Sequence, residues 1–303
     1  MIASRSWIAG LLLLSILKPV IGLSATVACG GVDDTVVIQA ALNDVRANGG
    51  GLVTLPLGIC PVRALNARDL VGVRIEGITA TGTRLVPLES NGIVVDLTDA
   101  ADVTLANFSI GNWNQGALVP RVGLLTAQSN ASIPASNVVH LDRLSLVGTF
   151  AWAAWLNLGG ASSTVMRSQF SNFSSGIGTV VFVAFNWMGL ASPFGPLMAG
   201  QFPPTDWTFM GSEIHNFSSG VALWLGGADS LRFFGGNMSV NNGFPSFIVV
   251  NVAGSTPTGP NLVFDGTTFY TDDGSLPRCL IQSNQGPLPV DLRANYLILP
   301  AFC

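Results

Sequence analysis

The chain has 303 residues, 49% of them hydrophobic and only 10% charged, with 35 glycines and a net charge of −4. That composition excludes a disordered chain and a charged helical bundle. Lys18 is the sole lysine and no basic patch occurs, which argues against nucleic acid as a partner.

Residues 1–28 read as a secretory signal peptide, with Arg5 as the positive region and 8–17 as the apolar core. Gly22, Ala25 and Ala28 offer three cleavage points, and the sequence does not choose among them. The competing reading is a lipoprotein anchored at Cys29, which would leave an odd cysteine. No later segment has the continuous apolar length of a membrane span, so no span is expected in the mature chain, and the expected location is extracellular. The predicted domain is 29–303, with 29–60 as its opening unit.

That unit has three parts. Asp33, Asp34 and Thr35 supply side-chain oxygens suited to a helix start. Residues 36–46 then place Val37, Ile38, Ala41, Leu42 and Val45 on one face. Gly49-Gly50-Gly51 breaks the helix, and 52–58 reads as a strand and turn. A lone amphipathic helix of about three turns must lie on something.

The stretch resembles the N-terminal signature of the pectate lyase superfamily. It is carried by Asp33-Asp34-Thr35, Ile38-Gln39, Ala41-Leu42, Gly49-Gly50-Gly51, Val53, Leu55-Pro56 and Gly58. The resemblance covers about 30 residues and implies an all-β fold: a single-stranded right-handed parallel β-helix with an N-terminal capping α-helix. It speaks more weakly to chemistry, because that superfamily holds lyases, hydrolases, tailspikes and non-catalytic members.

Cys29, Cys60, Cys279 and Cys303 are an even set in an exported chain and suggest disulfides. Three pairings exist. The two local ones, Cys29–Cys60 and Cys279–Cys303, are expected, because solenoid ends fray first. No Cys/His spacing suits zinc.

After the opening unit, short apolar strands alternate with Gly, Asn and Ser turns. Asn172-Phe173-Ser174-Ser175-Gly176 recurs as Asn216-Phe217-Ser218-Ser219-Gly220, and Asn107-Phe108-Ser109 is a partial third copy. With coils of about 22 residues, as the resemblance implies, the offset of 44 reads as two coils, and the chain as roughly eight. Aligning the coils places Leu105, Leu141, Met166, Phe209, Phe233, Phe264 and Leu292 inward as a stacked ladder. Asp142 with Arg167, and Asp265 with Arg293, then point outward on adjacent coils, where a surface ion pair is the plainer role. Residues 112–122 and 186–206 escape the repeat, and the second is a candidate binding loop or cover.

Chemistry is harder to read. The paired-aspartate motifs of family-28-like hydrolases and the basic motifs of pectate lyases are absent. Asp272-Asp273 reads as a solvated turn. The candidate catalytic residues are His140, Asp142, Arg167, Arg232 and Asp265, with His140 as a base steadied by Asp142 and Arg232 three coils on in its column. His215 reads as solvated. Trp187, Trp113 and Trp155 are candidates for stacking on sugars, whereas Trp207 reads as core. Asn-x-Ser sequons occur at Asn107, Asn130, Asn172, Asn216 and Asn237, and the first, third and fourth fit turn asparagines.

The resemblance and secretion together imply a lyase or glycoside hydrolase acting on an acidic, pectin-like polysaccharide. The alternative is a non-catalytic glycan-binding, adhesin or spike-type β-helix. No cofactor is expected, except that a lyase would call for calcium. The partner is a polysaccharide, and the oligomeric state is open, with a trimer among the alternatives.

Overall fold

The computed structural model describes residues 22–112, 118–128, 138–159, 163–173, 206–216, 222–225, 230–240, 246–250, 261–271, 277, 279–283 and 288–295, and the backbone of 179–183. Its strands form three parallel sheets of ten, eight and eight strands. The chain visits the first, second and third sheet in turn, so the described strands make eight complete coils. Each sheet's inner face contributes to one continuous apolar core.

The helix Thr35–Ala47 covers the opening of this core. It buries Ile38, Ala41, Leu42 and Val45 as the spacing predicts, while Val37 is half exposed. Asp34 does not cap it: its carboxylate turns back to accept from the N–H groups of Gly30 and Gly31. Asp33 instead accepts from the N–H of Thr35. At the far end Arg46 donates to the carbonyls of Asn66 and Arg68, which ties the helix to the first coil.

The glycine run has a steric cause. Strand Leu23–Thr26 pairs with Gly51–Leu55, and a Cβ on Gly51 would sit 2.2 Å from the carbonyl oxygen of Leu23. This edge strand lies inside the segment expected to be a leader. Cys29 is bonded to Cys60, with Cα atoms 5.1 Å apart, which clasps helix to strand. A sulfur used this way is not free for a lipid thioether. Cys279 is also disulfide-bonded, and Cys303 lies outside the described residues.

The inward ladder of the first sheet is Leu105, Leu141, Val165, Phe209, Phe233 and Phe264, and Leu292 continues the column on the last described strand, where it is 39% exposed. Phe209, Phe233 and Phe264 stack with centroids 4.5 and 4.8 Å apart and planes 15° from parallel. One member differs from the expected column. Val165, not Met166, points inward, and Met166 sits outside opposite Asp142.

The coil period also needs correction. Strand Gln169–Asn172 pairs directly with Glu213–Asn216, so the offset of 44 is one coil rather than two. Residues 184–205, which include all of the expected binding loop but Asp206, lie outside the described residues. Asn107 belongs to a different position from the other two asparagines. It sits at the corner after the first sheet with φ 59°, whereas Asn172 and Asn216 end strands of the second sheet and are fully buried.

A candidate site at the corner between the first and second sheets

In seven of the eight coils just two residues separate the strand of the first sheet from that of the second. From the third coil onward the first of these two has positive φ: Asn107, Arg143, Arg167, Gly211, Gly235, Gly266 and, after the last strand, Ala294. Each such residue from 107 to 266 donates its N–H to the carbonyl of the residue that ends the next coil's strand, at 2.7–3.1 Å. The corner is therefore a stitched column. Glycine and asparagine accept a left-handed backbone readily, but an arginine there costs about 1 kcal/mol. Two successive coils carry that cost, at Arg143 (φ 52°) and Arg167 (φ 48°).

These arginines line a cleft of about 260 Å³, together with Thr81, Gln169, Gly211 and Glu213. Asp142, the last residue before the corner, accepts from Arg167 at 2.9 Å and from Arg143 at 3.3 Å. The Asp142–Arg167 pair is thus present on adjacent coils. Nearby, Arg74 grips Glu76 through two hydrogen bonds of 2.8 and 3.0 Å. That guanidinium holds the Glu76 carboxyl below the ordinary carboxylate range, against the opposing effect of partial burial, and the Asn107 amide adds a further hydrogen bond at 2.8 Å.

Glu213 opens a second network. Its carboxylate, 42% exposed, meets Nε2 of His215 at 3.3 Å, and it accepts from the Asn237 amide at 3.4 Å. His215 was expected to be solvated but is only 6% exposed. Its Nδ1 lies 2.8 Å from the Ser239 hydroxyl and 3.1 Å from that of Tyr270. The tautomer that fits puts the proton on Nε2, donating to Glu213, and lets Nδ1 accept from the two hydroxyls. Only the Glu213 end of this chain of contacts opens on the cleft. Glu213 is the reachable end of this network and His215 its buried support.

The other sequence candidates scatter. His140 bonds Thr164 at 2.7 Å and does not lean on Asp142, which the arginines occupy. Arg232 does stand three coils on in the His140 column, but it pairs with Asp206 at 3.1 Å. Asp265 lies opposite Arg293 on adjacent coils as expected, yet Arg293 pairs with Asp291 of its own strand. Trp155 is fully buried in the core, its ring 4.9 Å from that of Trp207, and donates to the Thr126 hydroxyl at 3.0 Å, so it cannot stack on a sugar. Trp113 and Trp187 lie outside the described residues.

Among the described residues no grouping offers calcium a set of oxygen ligands. Calcium needs six to eight oxygen ligands. Among the described residues Glu76 and Asp142 already face guanidinium groups, and the grouping of Cys29, Asp34 and Cys60 has both sulfurs in a disulfide. Among the described residues no helix is long and apolar enough to cross a membrane.

Parallel coils, a capping helix and a stitched corner define a right-handed parallel β-helix of the pectin lyase-like fold. No family model matches the chain, and no curated protein matches it. Among solved structures it is similar to the tailspike protein of Acinetobacter phage vB_ApiP_P1, at 12% identity and a TM-score of 0.52, over 92% of this chain and 59% of that one. It is also similar to ORF18 of Geobacillus virus E2, at 13% identity and a TM-score of 0.51, over 90% of this chain and 60% of that one. The chain thus spans about three fifths of the length of these two structures. At such identities the likeness speaks to the fold alone.

Proposed function

We propose that this chain is an extracellular β-helix protein that binds an acidic polysaccharide and cleaves it at the corner cleft. The observation that carries the reading is the lining of one cleft by two guanidinium groups, Arg143 and Arg167, and one reachable carboxylate, Glu213. Paired arginines suit a uronate carboxylate, which they meet with charge-assisted hydrogen bonds. Glu213 transfers the proton and His215 holds it in place. Elimination asks for cations that neutralise the uronate and a base for the proton beside it, and the cleft holds both kinds of group. The disulfide supports an oxidising, extracellular setting. A second reading, glycan binding without cleavage, is favoured by the exposed Met210 and Phe234 nearby.

The test is a screen of purified protein against pectin, polygalacturonate, rhamnogalacturonan and alginate, reading reducing ends and unsaturated uronides separately. Glu213→Gln should lower the cleavage rate about a hundredfold or more while binding persists. Arg143→Gly and Arg167→Gly should hold or raise the melting temperature, because glycine relieves the backbone, while affinity falls about tenfold. Binding without products would support the second reading, and unchanged affinity in both glycine variants would sink the site.

A further inference from the structure

Three segments of the cap converge on one point. Cys29 lies on the linker between the edge strand and the helix, Asp34 at the helix start, and Cys60 in strand Gly58–Val62 of the first coil. The two sulfurs and a carboxylate oxygen of Asp34 lie within 4.8 Å of one another. Cys60 is fully buried and Asp34 is 4% exposed, while Cys29 is half-buried beside the exposed Gly30 and Gly31. The carboxylate accepts from the N–H groups of Gly30 and Gly31 at 3.2 and 3.0 Å and makes no cap bond to the helix that starts there. Among the described residues no cationic side chain pairs with it, and Arg63, the partner of Asp33, also holds Glu89. A buried carboxylate without a cation is costly, and the helix start offsets only part of that cost.

We infer that Cys29, Cys60 and Asp34 form a latent zinc site, filled when the disulfide is reduced, so that the cap is clasped in either redox state. Reduction by a dithiol proceeds by exchange: the dithiol closes its own disulfide, and each cysteine sulfur takes one proton. Zinc then displaces both protons and binds two thiolates and the carboxylate, with water as fourth ligand on the open Gly30–Gly31 side. Two sulfurs and one oxygen suit zinc better than calcium or magnesium, which take oxygen ligands. Zinc–sulfur bonds of about 2.3 Å set the sulfurs of a tetrahedral site roughly 3.8 Å apart, so the pair must part on reduction. Cys60 is fixed in its strand, and the movement falls to Cys29. The glycines that follow give the chain there its freedom: Gly30 has φ 130°, and a Cβ on it would meet nothing within 4 Å. The two N–H groups on the Asp34 carboxylate already orient it as a ligand.

The experiment reduces the full chain with a phosphine, which supplies two electrons and takes oxygen from water as its oxide, and then titrates in cobalt(II) as a spectroscopic stand-in for zinc. The expected result is one cobalt per chain with a near-ultraviolet sulfur-to-cobalt charge-transfer band, both displaced by zinc. Zinc should also raise the melting temperature of the reduced chain and leave that of the oxidised chain unchanged. Asp34→Asn should weaken cobalt binding about tenfold or more, and the Cys29→Ser/Cys60→Ser pair should abolish it. Asp34→Asn keeps the disulfide, so circular dichroism of its oxidised form shows whether the substitution alone disturbs the fold. Cys279 is reduced in the same step, and the double variant reports any metal held by other thiols. A charge-transfer band that persists in the double variant overturns the site, as does unchanged affinity in Asp34→Asn. A reduced wild type that keeps its native circular dichroism but gains no band overturns it too, and so does one that loses that signal and does not recover it with zinc.

Discussion

Asp33 sits where the capping helix meets the first coil, and three donors converge on it. The Thr35 hydroxyl and the Arg63 guanidinium, followed by the Thr35 N–H, hold its carboxyl down to about 2 from an ordinary 3.8. Arg63 also reaches Glu89 at 2.7 Å, so it ties the helix start to the next coil's edge. A carboxyl whose folded pKa is depressed adds stability that is fully present above its unfolded pKa. That stability disappears as pH falls through the folded value. Asp33→Asn should therefore lower the melting temperature at neutral pH, and the difference from wild type should close between about pH 4 and 2. A gap that persists at pH 2 would show that the effect is not electrostatic. At this scale the sequence was partly legible. Asp142 and Arg167 were readable as neighbours from the stacking of coils, although the row was set one residue off: Met166 stands opposite Asp142 and Arg167 turns the corner. Trp155 was not, because Ala153–Leu158 is buried on both faces and alternation carries no sign there. Glu213 was overlooked although a signal existed: Glu213 and His215, two apart on a strand, must share its outer face.

The phenylalanine stack is the element on which the later coils rest. Phe233 lies between Phe209 and Phe264 with nearly parallel rings, so truncating it removes two ring contacts and leaves a void in a closed core. Phe233→Ala should cost about 3–5 kcal/mol, measured by chemical denaturation. A loss below about 1 kcal/mol would mean that neighbouring coils collapse into the space. The ladder itself was legible from spacing, apart from the slip at Met166. There the strand Thr164–Met166 is only three residues long, and Arg167 turns the corner instead of continuing it. Coil lengths were not legible. The corner between the first two sheets is two residues long in seven of the eight coils, but the return to the first sheet varies from two residues, between Thr98 and Ala101, to 23, between Val183 and Trp207. A repeat search assumes one period, and this chain keeps a fixed pitch without a fixed period. The count of eight agreed because one long coil had been read as two short ones while other coils run longer than assumed.

For the molecule as a whole, the N-terminal edge bears on the three cleavage points that small residues offer. Leu23–Thr26 adds a strand to the first sheet, and Val27 is buried against the core. Removal after Ala25 or Ala28 would strip that strand and uncover the edge of Gly51–Leu55. We therefore expect secreted protein to begin at Leu23, as read by intact mass and N-terminal sequencing. A start at Thr26 or Cys29 would contradict this and imply that the edge strand is dispensable.

The stitched corner has a consequence for how such a molecule could change. Between Arg167 and Arg293 each coil adds one left-handed corner residue and one strand step, whatever its length elsewhere, so their separation is a whole number of steps. Duplicating or deleting a coil, for instance the stretch from Gly211 to Gly235, would move the two charged ends apart or together by one unit and leave every other contact type in place. A spacing of this kind is countable: it alters in integers, by gain or loss of entire turns, where distances between side chains in a globular core drift by fractions of an ångström.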